Sequence, residues 1–118
     1  MYTISKKFTF DAAHHLEGLP PEHKCSKVHG HTYEVLVEFK KQDLDEVGFV
    51  IDYRALEPIK AFLDDAMDHK DLNDFLPCNP TAENIAKFLF DTFKKSFPEL
   101  SAVSVSETPK TVAIYTEE

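Results

Sequence analysis

Hydrophobic and polar residues alternate at the start of the chain. Ile4, Phe8 and Phe10 fall on one parity of the segment from Tyr2 to Asp11, which predicts a strand with one buried face. A clearer alternation begins after Gly30. His31, Tyr33, Val35, Val37 and Phe39 share one face, and Thr32, Glu34, Glu38 and Lys40 share the other. Between the two strands, Leu16 to Val28 carries Gly18, Pro20 and Pro21 and reads as a long loop. Helical spacing then replaces alternation: Leu56, Ile59, Leu63, Ala66 and Met67 predict a helix from about Asp52 or Pro58 to Met67. Pro58 fits its first turn, where a missing N–H matters little. A second helix starts near Asn79-Pro80-Thr81, with Asn79 or Thr81 as cap and Ile85, Phe88, Leu89 and Phe93 as its apolar stripe. Two short strands follow, Ala102 to Glu107 and Thr111 to Tyr115, joined around Pro109. The order ββααββ predicts an α+β fold, an antiparallel four-stranded sheet with two helices on one face.

Composition narrows the class. At 118 residues, with 42% hydrophobic and 29% charged positions, the chain is expected to form one globular domain over residues 1–118. A net charge of −8 repels a phosphate backbone and argues against nucleic acid as a partner, while leaving room for a small anion in a local basic pocket. No apolar run approaches the ~20 residues that span a bilayer. Residues 1–7 lack a signal-peptide hydrophobic stretch, so a cytoplasmic protein without a membrane partner is expected. Cys25 and Cys78 then read as free thiols.

His14, His15, His23, His29 and His31 crowd into a short stretch. His29 and His31 flank one residue, so on an extended chain their rings project to the same side. His14 continues the apolar parity of Phe8, Phe10 and Ala12. If the strands pair as a hairpin, three imidazoles converge at one end of the sheet, the donor set of an open catalytic zinc site. Gly30 would let the backbone approach a neighbour or ligand. His15 points to the opposite face, and His23 belongs to the solvated loop. Cys25 lies four residues before His29. A thiol beside a dication and imidazoles ionises near neutral pH and suits a general base or nucleophile; the alternative is a fourth ligand closing a structural site. Glu107 shares parity with Val103 and Val105, so it either points inward and needs an N–H-rich partner or turns out to solvent at the strand end. Asp68-His69 ends the first helix and could form a carboxylate–imidazole relay, although helix ends also carry His for dipole reasons.

Phe10-Asp11-Ala12-Ala13-His14, Cys25-Ser26-Lys27-Val28-His29-Gly30-His31, Asp68-His69, Asn79-Pro80-Thr81-Ala82-Glu83-Asn84 and Ser106-Glu107-Thr108 occur in the order and spacing of one family. Along essentially its whole length the chain resembles the 6-pyruvoyl-tetrahydropterin synthase family. The three-residue gap between Cys25 and His29 is similar to the bacterial 6-carboxytetrahydropterin synthase branch of the queuosine pathway, whereas the tetrahydrobiopterin-making branch typically has five. The resemblance implies a tunnelling fold (T-fold), in which three subunits close their sheets into a barrel and two trimers stack into a hexamer, with the pterin at a subunit interface. It implies His14, His29 and His31 as zinc ligands, Cys25 as catalytic base, and Asp68 and His69 as its relay. It also implies that Glu107 grips the pterin ring, that Thr81 helps seat it and that Lys27 meets the triphosphate. Ala82 departs from the Ser or Thr common in the family, so a hydroxyl contact is not expected there. Conversion of 7,8-dihydroneopterin triphosphate to a 6-carboxypterin, without an organic cofactor, is the activity implied. The sister activity, elimination of triphosphate to a 6-pyruvoyl pterin, and a non-catalytic zinc module are the alternatives.

Overall fold

A computed structural model describes residues 1–117 of the chain. Strands β1 (Tyr2–His14), β2 (His29–Lys41), β3 (Leu100–Ser106) and β4 (Ala113–Thr116) form one antiparallel sheet in the order β1-β2-β3-β4. β1 and β2 pair without a slip from Tyr2↔Lys41 to His14↔His29, so β1 runs three residues past the Asp11 end expected from its alternation. Phe8, Phe10, Ala12 and His14 of β1 are buried with Tyr33, Val35, Val37 and Phe39 of β2 and Val103 and Val105 of β3. A one-residue slip would turn this whole set to the other face, so burial fixes the register.

The first helical segment has the expected span but not a uniform winding. A tight 3₁₀ turn (Tyr53–Leu56) is capped by the Asp52 carboxylate, which accepts the Arg54 N–H at 2.9 Å. Helix α1 (Glu57–Phe62) follows with Pro58 in its first turn, and Leu63–Met67 closes as a wider π turn. Helix α2 (Leu72–Phe75) was not anticipated, because four residues are too few to display a period. Its cap is Asp71, whose carboxylate accepts the Asn73 N–H at 3.0 Å. Helix α3 (Ala82–Lys94) is capped by Thr81, not Asn79, through an Asn84 N–H to hydroxyl bond of 3.1 Å. Ile85, Ala86, Leu89, Phe90 and Phe93 bury its inner face against the sheet, while Phe88 is half-buried. A helix of this length is marginal alone. Burying each Leu, Ile or Phe contributes about 1.5–3 kcal/mol, so packing holds α3 in place.

Residues 68–71 run alongside the end of β1. The His69 N–H donates to the Asp11 carbonyl at 2.6 Å, the Ala13 N–H donates to the Lys70 carbonyl at 3.0 Å, and Ala13 pairs with Asp71 as a parallel bridge. His69 adopts φ 59°, a left-handed conformation uncommon outside glycine. Among the described residues no helix is long and apolar enough to cross a membrane.

Candidate active site

The β1–β2 register places His14 directly opposite His29 and His31 opposite Ala12, so the small Ala12 side chain leaves room beside the imidazoles. The His14 ring centroid lies 4.6 Å from that of His29 and 5.1 Å from that of His31, and the His29 and His31 rings are 4.9 Å apart. Carbonyls only accept, so two contacts fix the tautomers. His14 Nδ1–H donates to the Pro80 carbonyl and His29 Nδ1–H donates to the Lys27 carbonyl, each at 2.7 Å. In the neutral rings Nε2 therefore carries a lone pair on both, and these two nitrogens face each other at 3.1 Å. Burial holds the His14 pKa below the usual histidine range, against the opposing pull of Pro80 and Glu107, and so favours the neutral ring.

Two lone pairs at that distance repel unless a cation lies between them. Nitrogens bound about 2.0–2.1 Å from a tetrahedral zinc ion sit about 3.3 Å apart. Among the described residues His31 Nε2 is buried without a well-formed hydrogen bond, its charged neighbour being the Glu107 carboxylate, and so offers a further ligand atom at the same point. Ligand nitrogens of the three residues all lie within 4.8 Å of one another. Carbonyl partners on the far nitrogens are the usual outer support of metal-binding histidines. The trio fits a zinc ion. Gly30 contributes little to this closeness, since a Cβ there would meet the Ala12 carbonyl at an ordinary 3.6 Å.

Cys25 sits in a 3₁₀ turn (Lys24–Ser26) within the β1–β2 loop. His23 caps that turn, its Nδ1 accepting the Cys25 N–H at 3.1 Å, so this histidine has a structural contact that the sequence pattern did not reveal. The Leu16 N–H donates to the Cys25 carbonyl at 2.8 Å and ties the thiol-bearing turn to the end of β1. Two asparagines hold the strand beyond His14. Asn73 bonds both the N–H and the carbonyl of His15 (2.8 and 3.0 Å), and Asn79 does the same for Glu17 (3.0 and 3.1 Å). The thiol is half-buried, and Cys25 is not among the residues of the imidazole cluster.

Glu107 lies one residue beyond β3 and turns inward, not out to solvent. Its Oε2 is 3.2 Å from His14 Nε2 and 3.3 Å from His31 Nε2. Cys25, His29, His31 and Glu107 line one cleft of about 480 Å³ together with Leu16, Lys24, Thr108 and Thr111. Tyr33 is fully buried, stacked on Phe10 with centroids 5.0 Å apart, and its hydroxyl has no hydrogen-bond partner among the described residues. Burial, and then the nearby Glu107 charge, push that hydroxyl well above the ordinary tyrosine range.

The remaining expected residues lie elsewhere. His69 lines a separate open cleft of about 610 Å³ that shares His31 with the first. Asp68 accepts the Asp11 N–H at 2.8 Å through one oxygen and faces His69 Nδ1 at 2.8 Å through the other. These bonds depress the Asp68 pKa, the Asp11 N–H most, and Asp68 raises that of His69. Thr81 is occupied as the α3 cap, and Lys27 is absent from the Cys25 cleft, reaching the site through its carbonyl. An NMR titration should therefore place His69 above the free-histidine pKa, and Asp68→Asn should return it to the ordinary range. The His69 contribution to stability is full below the free-histidine pKa and is lost as pH rises through the raised one. Asp68 contributes above the ordinary aspartate pKa and loses this as pH falls through its depressed one. An unshifted His69 would contradict the pairing.

An antiparallel sheet backed by helices, with three imidazoles gathered at one end of its first hairpin, defines a T-fold protein with a site suited to a metal ion. The sequence pattern of the family described as 6-pyruvoyl tetrahydropterin synthase matches residues 3–118, and the chain belongs to that family. A protein of Haemophilus influenzae named 6-carboxy-5,6,7,8-tetrahydropterin synthase is 34% identical, covering 99% of this chain and 100% of its own. One of the same name from Synechocystis sp. is 37% identical over 98% of this chain and 93% of its own. The solved 6-pyruvoyl tetrahydropterin synthase of Caenorhabditis elegans superposes with a TM-score of 0.87 at 27% identity, covering 99% and 96% of the two chains.

Proposed function

We propose that the protein is a zinc-dependent lyase that converts 7,8-dihydroneopterin triphosphate and one water to 6-carboxy-5,6,7,8-tetrahydropterin, acetaldehyde and triphosphate, in 7-deazaguanine (queuosine) biosynthesis. The observation that carries this reading is the single cleft lined by Cys25, Glu107 and two of the three clustered imidazoles. The names of the Haemophilus and Synechocystis relatives support the choice of product. Zinc, held by His14, His29 and His31, would supply Lewis acidity that stabilises negative charge developing on the substrate side-chain oxygens.

The chain's own residues do the rest. Cys25, as thiolate, takes and returns protons at the side-chain carbons, and its pinned turn fixes the distance of that transfer. Glu107 accepts two parallel hydrogen bonds from the guanidine-like edge of the pterin. Glu107→Gln is expected to weaken pterin affinity by about tenfold or more, since one charge-assisted bond is worth about 1.5–3 kcal/mol, and to change zinc content less. Unchanged pterin affinity would remove Glu107 from the ring contact. His69, paired with Asp68, opens onto the other cleft and is 79% exposed by side chain; on this reading the pair serves the Cys25 thiol of a neighbouring subunit. β1 is an edge strand whose residues 2–9 bond no backbone other than β2 among the described residues, and with the short β4 at the other edge this favours pairing between copies, hence a trimer or hexamer. Sedimentation of a fully active monomer would exclude that assembly.

Trapping acetaldehyde and weighing the pterin product tests the reaction. Release of triphosphate without acetaldehyde, with a pyruvoyl pterin accumulating, would assign the sister activity carried by the name of the Caenorhabditis elegans structure.

A further inference from the structure

Lys24 shares the cleft of Cys25, His29, His31 and Glu107, together with the hydroxyl-bearing Thr108 and Thr111. It directly precedes Cys25 in the turn capped by His23, so its backbone is fixed as firmly as that of the thiol. Four other lysines are committed elsewhere. Lys7, Lys60 and Lys87 pair with Glu34, Asp64 and Asp91, and Lys94 donates to the carbonyls of Pro98 and Leu100. Lys24 has no carboxylate partner among the described residues and is solvent-exposed. A chain with net charge −8 repels polyphosphates at long range, so a cation able to hold one must stand within the cleft itself. Thr108 Oγ1 accepts the Lys110 N–H at 3.3 Å, which leaves its own O–H free to donate.

We propose that Lys24, aided by Thr108 and Thr111, forms a polyphosphate subsite that takes the triphosphate tail of the substrate, a role expected of Lys27 from resemblance alone. The inference rests on the pterin reading of the cleft. A pterin carries its triphosphate beyond the reacting side-chain carbons, and Lys24 stands beside the thiol that would act on those carbons, with Glu107 at the ring. Lys27 is absent from the cleft lining and contributes a carbonyl to His29.

Equilibrium titration of the zinc-loaded enzyme with two probes, inorganic tripolyphosphate and neopterin, tests this. Lys24→Gln should weaken tripolyphosphate binding by about tenfold or more, the loss of one charge-assisted contact. Neopterin binding should stay within about twofold, the usual range for an uninvolved surface change, and this retention also reports an intact fold. Lys95→Gln, an equal change of charge at an exposed lysine beyond α3, should leave both probes unaffected. Equal tripolyphosphate affinity in wild type and Lys24→Gln would overturn the subsite, as would a loss in Lys27→Gln and not in Lys24→Gln. A wild-type enzyme that binds neopterin but no tripolyphosphate also overturns it, with the pterin reading intact. Binding of neither probe would overturn the pterin reading and the subsite with it.

Discussion

His31→Ala is expected to abolish both tight zinc binding and turnover. Among the described residues His31 Nε2 is buried without a well-formed hydrogen bond, beside the Glu107 carboxylate, and its ring packs edge-on against His14 and His29. Alanine keeps the β2 backbone and its pairing with Ala12, so the loss falls on the donor set and not on the sheet. Losing only an outer hydrogen-bond partner of a metal ligand costs about 10–100-fold in affinity, and losing the ligand itself should exceed the upper end of that range. Two imidazoles would remain, both already oriented by Pro80 and Lys27 carbonyls, and two neutral donors do not make a zinc site. Metal analysis after dialysis against a weak chelator reads the outcome. Full zinc in the variant would refute the assignment of this ligand.

Cys25→Ala should lower turnover by about 10²–10⁴-fold, the usual share of a positioned general base, while zinc content and fold are kept. Two features separate these effects. Cys25 is not part of the imidazole cluster, and its turn is held by backbone bonds from Leu16 and to His23 that alanine retains. A thiolate ligand would behave otherwise: removing it would lower zinc and activity together, and a cobalt-substituted wild type would show an intense sulfur-to-metal charge-transfer band. Loss of zinc in Cys25→Ala would therefore support a closed structural centre. Retained activity would remove the thiol from the mechanism.

The hairpin and its imidazoles were legible in the sequence because both rest on period-two alternation. Parity alone puts His14 and His31 on the buried face, and one unbroken register does the rest. Glu107 was legible as an inward carboxylate for the same reason, although β3 ends one residue before it. What escaped depends on main-chain groups or on contacts between distant segments. The carbonyls of Pro80 and Lys27 that orient the imidazoles carry no residue-type signal. Asn73 and Asn79 look like ordinary helix-start residues, yet they hold the backbone of His15 and Glu17 some sixty positions away. Lys24 and Lys27 lie on either side of Cys25, and only the folded loop decides that Lys24 and not Lys27 lines the cleft. Asp68 and His69 were recognisable as a dipeptide, but the opening of His69 onto a second cleft follows from the parallel bridge at Ala13.

Pairing β1 with β2 closes only residues 15–28, whereas bringing β3 against β2 must close residues 42–99. Loop-closure entropy rises only with the logarithm of length, but long-range pairing still forms more slowly than local pairing. The three imidazoles belong wholly to the short closure, and Glu107, the Pro80 carbonyl and the two asparagines arrive with the long one. During synthesis the imidazoles thus leave the ribosome on one hairpin, well before the carboxylate and the carbonyl that complete their surroundings. A metal ion captured at that stage would meet a bare, weakly oriented trio, and only docking of α3 and β3 would tighten its hold.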